Sequence, residues 1–335
     1  MGWADREARP TGYNRDLKLA LIGYGNVGRA LARLLLARRE EFPFTITGIH
    51  TLRHGSAIDP AGVKHAETFG PRAASVDEFL EDAKADIAVE LTTLNPHDGE
   101  PAISHIRAAM ARGMHVVTAN KGPLAHAYAA LRDEAARAGV GFRFESAVMD
   151  GAPVFNLWRH TMPGVRVLGF TGALNSTSKV VIDTMMGGGS FEDGLAKARE
   201  MGITEADGTF DVEGWDSAAK TAALANVLLD AGVTPQQVST RGITRLTPER
   251  LAEIAAAGKT VRLISRGRRT AAGVSLRVRA EVLDRNDLLA CTPGTSNLLL
   301  FHTDLMGTFG TVSIEPGVEQ TAYGVFSDLA SLAAH

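Results

Sequence analysis

The hydrophobic positions along this chain change their rhythm near Pro153. From residue 17 to about 150, short apolar runs alternate with stretches of helical spacing, the mark of a parallel sheet with crossover helices. Leu17–Ile22 and Phe44–Thr51 read as the first two buried strands, and 86–93, 114–120 and 142–148 as further ones. Helices are expected at 29–41, 103–112 and 125–138, the first with Leu31, Leu34 and Leu35 facing inward. Beyond Pro153 the pattern loses that rhythm. A strand at 167–174 precedes helices at 177–186, 190–201 and 215–231, with Ser190 and Asp193 spaced as a helix cap. Strands follow at 260–266, 274–282, 297–302 and 311–314, and a helix at 321–332. Val274, Leu276, Val278, Ala280 and Val282 alternate with polar residues, as in a sheet with one wet face. The expectation is two units of different class: a doubly wound α/β unit at 17–152 and an α+β unit at 153–310. A polar tail at 1–16 precedes them, and 311–335 returns to the first unit.

Composition narrows the function classes. The 335 residues are 45% hydrophobic with a formal net charge of −3, and the basic residues are scattered among acids, so no polyanion-binding face is indicated. Nucleic acid is not an expected partner. No apolar run reaches the ~18–20 residues of a membrane helix, and residues 1–16 lack the apolar centre of a signal peptide. The one cysteine, Cys291, excludes an intrachain disulfide and suits a reducing cytoplasm. It lies in no evident nucleophile context, which disfavours a phosphorylating aldehyde dehydrogenase.

Between the first strand and its helix stands Gly23-Tyr24-Gly25-Asn26-Val27-Gly28. In a GxGxxG turn the first glycine permits the bend and the second lets a pyrophosphate approach the backbone. The third lets helix and strand pack closely. A Rossmann-type dinucleotide site follows, with Gly23, Gly25, Asn26, Val27 and Gly28 at the phosphates. The second strand ends without the acid that would accept hydrogen bonds from a ribose 2′-hydroxyl. It runs instead into Arg53 and His54, which suit a 2′-phosphate, so NADP is preferred over NAD. Thr92, Thr93, Asn120 and Lys121 end later strands, at the edge where the nicotinamide should lie.

Residues 205–220, EADGTFDVEGWDSAAK, hold the carboxylates Glu205, Asp207, Asp211, Glu213 and Asp216 before Lys220. Asp216 and Lys220 share a helix face if the segment after Gly214 is helical. Such a cluster can hold a substrate ammonium while the lysine donates a proton. The plainer reading is an acidic turn with an ordinary ion pair. A calcium loop fails, because Lys220 stands where a bidentate glutamate is needed.

Taken together, Gly23–Gly28, Glu90-Leu91-Thr92-Thr93, Val116-Val117-Thr118-Ala119-Asn120-Lys121, Glu145-Ser146-Ala147-Val148, Leu174-Asn175-Ser176-Thr177 and the 205–220 segment resemble the homoserine dehydrogenase family. The resemblance runs from about residue 18 to 330. It implies NAD(P)-dependent interconversion of L-aspartate 4-semialdehyde and L-homoserine, within threonine, methionine and isoleucine biosynthesis. Lys220 is then the proton donor, with Lys121 beside the same oxygen and each lysine lowering the other's pKa. Glu205, Asp211 and Asp216 hold the substrate ammonium, and Asn175 and Thr177 its carboxylate. Gly317 lies near the nicotinamide. The resemblance further implies a homodimer formed through the second sheet, a short form without a C-terminal regulatory domain, and a monovalent cation, commonly sodium. That cation's ligands map to the Glu145 side chain and the carbonyls of Val148, Asp150 and Ala152.

The chain departs from the family's pattern at three places. Met149-Asp150 replace small residues, Ser176 and Lys179 interrupt an Asn-Gly-Thr-Thr-Asn run, and 315–319 is poorer in glycine. The second departure is expected to alter the substrate's fit. The alternatives are another two-domain NAD(P) dehydrogenase of an amino-acid semialdehyde, or a dinucleotide-binding regulator without activity. Retention of Lys121, Asp216 and Lys220 together speaks against the regulator.

Overall fold

A computed structural model describes residues 16–63, 69–204 and 208–334. Its first sheet contains β1 (Leu17–Ile22), β2 (Phe44–Thr51), β3 (Gly55–Ile58), β4 (Ile87–Glu90), β5 (His115–Thr118) and β6 (Phe142–Arg143), in the spatial order β3-β2-β1-β4-β5-β6. Strands β2, β1, β4, β5 and β6 are parallel, and β3 folds back antiparallel on β2. Helices α1 (Asn26–Ala37), α2 (Val76–Ala83), α3 (Ala102–Ala111) and α4 (Lys121–Ala138) make the crossovers.

Several strands are shorter than the apolar pattern implies, and side chains explain why. β4 stops at Glu90 because the Glu90 carboxylate accepts the Thr92 N–H at 2.9 Å and turns the chain away. The expected strand at 142–148 breaks after Arg143. There Glu145 bends into α5 (Ser146–Met149), its backbone N–H donating to Asp328 at 2.7 Å.

The second sheet joins β7 (Val167–Ala173), β8 (Ser239–Thr240), β9 (Lys259–Thr270), β10 (Gly273–Asp284), β11 (Asn297–Thr303) and β12 (Thr308–Ser313), in the order β12-β11-β7-β9-β10-β8. All its pairings are antiparallel except β8 on β10. With its helices it makes the α+β unit. The sheet's last strand runs to Ser313, a few residues past the expected boundary at 310. The alternation read in β10 holds through Ala280 and then slips, leaving Val282 47% exposed and Leu283 buried.

One face of this sheet is packed by α7 (Ser176–Met186), α10 (Trp215–Leu229) and α11 (Pro248–Ala256). Helix α8 (Phe191–Glu200) opens with the expected cap: Ser190 Oγ accepts the Asp193 N–H at 3.0 Å and the Asp193 carboxylate accepts the Ser190 N–H at 2.9 Å.

Two contacts lock the units together. Helix α10 packs along α4, with Asn226 donating to the Leu124 carbonyl at 2.9 Å. Helix α12 (Val318–Ala333) returns across α1, burying Ala322, Val325, Phe326 and Leu329 with Leu19, Leu21 and Leu31. Burying a side chain such as Phe326, whose ring lies 4.9 Å from Phe42, contributes roughly 1.5–3 kcal/mol. This seam carries the site. No helix among the described residues is long and apolar enough to cross a membrane.

Candidate active site

The three glycines of the first turn meet three different demands. Gly23 has φ +99°, and a Cβ there would stand 2.6 Å from the Leu91 carbonyl oxygen. A Cβ on Gly25 would meet nothing within 4 Å, so the backbone at the start of α1 is open to a ligand. A Cβ on Gly28 would lie 3.2 Å from the Gly23 carbonyl, where helix and strand touch. Asn26 and Val27 open α1, whose first turn has neither a side-chain cap nor an acid. Its free N–H groups and helix dipole therefore suit a pyrophosphate. Arg53 lies exposed in the turn after β2, with no ion pair among the described residues. Thr93 and Gly317 are also exposed, and Gly317 begins α12, its N–H donating to Gln320 at 2.9 Å.

The ends of β4 and β5 are knitted together by a residue that the sequence marked only as part of a motif, without a role. Glu90, 1% exposed, accepts from the Thr118 hydroxyl at 2.8 Å and from both the hydroxyl and the N–H of Thr92. Asn120 spends its amide locally, capping α4 at the Gly122 N–H (2.9 Å) and donating to the Thr92 carbonyl (3.2 Å). Lys121 follows as the first residue of α4 and projects across the seam.

There it meets the acidic segment. Lys121 Nζ lies 3.3 Å from Asp216 Oδ1, and Lys220 Nζ lies 3.0 Å from Asp216 Oδ2. Residues from two units thus share one carboxylate, with 18% of the Lys121, 16% of the Asp216 and 16% of the Lys220 side chain exposed. Lys220 also donates to the Leu174 carbonyl at 2.7 Å. Asn175, 6% exposed, donates to Asp216 at 3.0 Å and to Asp211 at 2.6 Å. Asp211 accepts in turn from Thr204 at 3.0 Å.

Burial alone would raise the Asp216 carboxyl, but Lys220 and then Lys121 pull it well below the usual carboxylate range. Burial alone would lower Lys220, but Asp216, with Asp150 and Asp211, holds it above its ordinary value. The expectation that the two lysines depress one another is therefore reversed for Lys220, because the carboxylate between them dominates. Asp211 is raised by burial and by Asp216.

Other expected residues sit differently. Thr177 is 1% exposed and donates to the Ile203 carbonyl at 3.2 Å, so its hydroxyl anchors a loop rather than facing the cluster. Lys179, expected to alter the substrate's fit, points away from the cluster into the loop at 292–296. Glu205 and Asp207 lie outside the described residues, as does nearly all of the 1–16 tail.

Asp150 was marked only for its carbonyl. Its carboxylate, accepting from Thr321 at 3.3 Å and raised by burial, is also drawn on by the charges of Lys220 and Lys121. The sequence signal for it was the departure from a small residue.

Glu145 is 2% exposed and caps α6 (Phe155–Thr161), accepting the N–H groups of Val154, Phe155 and Asn156. That commits three of a carboxylate's roughly four lone-pair sites. Among the described residues no cluster of three or more histidine, cysteine or acidic side chains could hold a metal.

Known proteins resemble this chain over both units. A family model described as homoserine dehydrogenase matches residues 153–330, and one described as the NAD-binding domain of homoserine dehydrogenase matches residues 23–145. An NAD(+)-dependent homoserine dehydrogenase of Pseudomonas canavaninivorans is 36% identical, over 94% of this chain and 95% of that protein. A homoserine dehydrogenase of Methanocaldococcus jannaschii is 33% identical over 93% and 97%. Among solved structures, a putative homoserine dehydrogenase from Archaeoglobus fulgidus superposes with a TM-score of 0.85 at 29% identity, covering 95% of this chain and all of that one. With both units matched in order and the lysines of each meeting at Asp216, the chain belongs to the homoserine dehydrogenase family.

Proposed function

We propose that this chain catalyses the reversible reduction of L-aspartate 4-semialdehyde to L-homoserine, at the seam where Lys121 and Lys220 share Asp216. The observation that carries it is the juxtaposition of two ammonium groups from different units on one buried carboxylate. When bound, the nicotinamide nucleotide supplies the hydride to the aldehyde carbon or takes it back.

The chain's residues do the rest. Lys220 donates a proton to the carbonyl oxygen as it gains negative charge, a contribution of typically ~10²–10⁴-fold. Lys121 adds positive charge at the same oxygen. Asp216 holds both lysines in place and keeps Lys220 protonated. Glu205, Asp211 and Asp216 receive the substrate ammonium; Asn175 and Thr177 were assigned to its carboxylate, and Asn175 keeps that assignment because it stands in the cluster. Gly23–Gly28, Arg53, Thr92, Thr93, Asn120, Lys121 and Gly317 line the nucleotide, with Asn120 setting the ends of β4 and β5 rather than reaching outward.

NADP is the preferred nucleotide, because exposed Arg53 and His54 end β2 where an acid would select NAD. A monovalent cation, sodium in kind, would be held by the carbonyls of Val148, Asp150 and Ala152 with the remaining lone pair of Glu145. Asp150, at φ +59°, turns the backbone there. Two copies pair through the second sheet, in which Leu168, Val282 and Val312 are exposed. The reading divides the chain into a nucleotide unit at 17–152, a catalytic and dimerisation unit from 153, and the returning C-terminal helix. It places the enzyme in the cytoplasm, in the synthesis of threonine, methionine and isoleucine.

Mixing the protein with homoserine and NADP tests the proposal: absorbance of the reduced nucleotide should appear. Binding without turnover, across a panel of amino-acid alcohols and both nucleotides, would refute it. Arg53→Ala should raise KM for NADP about tenfold, the worth of one charge-assisted phosphate contact, and leave KM for NAD nearly unchanged. Equal effects on the two would dismiss the phosphate contact.

A further inference from the structure

Lys179 is 4% exposed, yet no carboxylate among the described residues touches it. Its ammonium donates to the Thr292 hydroxyl at 2.9 Å and to three backbone carbonyls, those of Thr292, Pro293 (3.3 Å) and Ser296 (3.4 Å). The Ser296 N–H closes the loop on the Pro293 carbonyl at 3.0 Å. Four neutral oxygens therefore converge on one buried positive charge, an oxygen-only set suited to a hard cation. Neutral dipoles do not make up the whole cost of burial. The charges around it are Arg262, which repels, and Asp183 and Glu315, which attract; burial dominates and pushes the Lys179 pKa down to about 8.

The caged loop touches both sides of the active site. On the substrate side, Ser176 Oγ, next to Asn175, donates to the Thr295 carbonyl at 2.7 Å. On the nucleotide side, the Glu315 N–H donates to Ser296 Oγ at 3.0 Å, two residues before Gly317. Gly294, at φ +47°, lies so close to the Glu315 carboxylate that a Cβ would meet it. Drawing the loop onto α7 therefore sets where Asn175 and the 315–317 link stand.

We propose that the Thr292–Ser296 loop is a monovalent-cation cage whose resident cation is the tethered ammonium of Lys179, and that this cation is a positioning device for the substrate end of the active site. Only the last clause rests on the proposed function; the cage is testable without turnover.

Lys179→Ala removes the ammonium and leaves the backbone oxygens. Thermal unfolding of this full-length variant should show a Tm below wild type. Methylammonium chloride, an untethered copy of the missing ammonium, should raise it saturably, whereas tetramethylammonium chloride at equal ionic strength should not. Wild type and Lys179→Arg, whose cage stays filled, should lack that size-selective response, which separates this cage from any cation held near Glu145. If Lys179→Ala does not fold, Lys179→Gln takes its place with the same readout. In turnover assays the variant's KM for homoserine should rise about tenfold, the worth of a buried charge-assisted hydrogen bond, with little change in KM for NADP. The rescuing ion should reverse that rise. In wild type the same KM should climb above about pH 8 and stay flatter in Lys179→Arg.

No size-selective ion effect on Tm in either neutral variant, or the same effect in wild type, overturns the cage. A Tm effect with homoserine KM unmoved overturns the positioning clause. A protein inactive on homoserine but with the ion-dependent Tm keeps the cage and rejects the proposed function instead.

Discussion

Two groups of buried carboxylates flank the seam between the units, and the molecule treats them in opposite ways. Asp216 receives two ammonium groups, one from each unit, and stays ionised far below the usual carboxylate range. Glu145 and Asp328 lie side by side, hydrogen-bonded among the described residues to backbone N–H groups and the Asn156 amide; the charge of Arg159 acts on both only weakly, and both are raised by burial, Asp328 to about 6. Dipoles satisfy lone pairs but do not offset the desolvation of charge as a nearby cation does. The first group is built to keep its charges at neutral pH, as proton transfer requires. The second clasps α12 to the α5–α6 corner, and its charge is held at a cost unless a cation joins it.

The largest effect expected from breaking this contrast is on catalysis. Lys220→Ala removes the proton donor and should lower kcat by ~10²–10⁴-fold while changing nucleotide affinity far less, measured by steady-state kinetics and nucleotide titration. Loss of NADP binding with turnover of bound substrate intact would show the roles to be misassigned.

Glu145→Ala should act mainly on stability. It frees three N–H groups at the start of α6 and should lower the unfolding free energy by about 1–3 kcal/mol in denaturant titration. Any stabilisation by sodium over tetramethylammonium in wild type should also vanish. An unchanged denaturation midpoint would mean water replaces the carboxylate at no loss.

The smallest effect is pH dependence. Because Asp328's folded pKa lies above its ordinary value, its contribution to stability is fully present below about pH 4 and is lost as pH rises through about 6. Asp216, depressed, acts the other way and loses its contribution only as pH falls through its low folded value. Lys220, raised, keeps its contribution until pH climbs past its elevated one. Between about pH 4 and 7 the difference in unfolding free energy between wild type and Asp328→Asn should therefore shrink in wild type's disfavour as pH rises. A difference independent of pH would mean that Asp328 does not titrate in the folded protein.

Legibility in the sequence followed the range of each interaction. The glycine turn was readable because all its demands are met within six residues and the adjoining strand and helix. The Ser190–Asp193 cap and the Asp216–Lys220 pair were readable for the same reason. Strand ends at 86–93 and 142–148 were overrun because side chains, not apolar pattern, stop them: Glu90 accepts the Thr92 N–H, and Asp328 accepts the Glu145 N–H. The bond that Thr177 makes was not readable, because its partner, Ile203, lies 26 residues on in another loop. How Lys179 acts was not readable, because the oxygens it meets come from more than a hundred residues away.

By itself, then, the order of residues determined the two units, the nucleotide turn and the acid–lysine helix face, since periodicity and short spacing act locally. Only the packing of α10 along α4 brought Lys121 onto the far side of Asp216 and turned an ordinary ion pair into a shared one. Only packing, too, put the Asp150 carboxylate within the field of the lysines and closed a carbonyl cage on Lys179. Charge energies depend on distance and burial, and those are settled when remote segments meet.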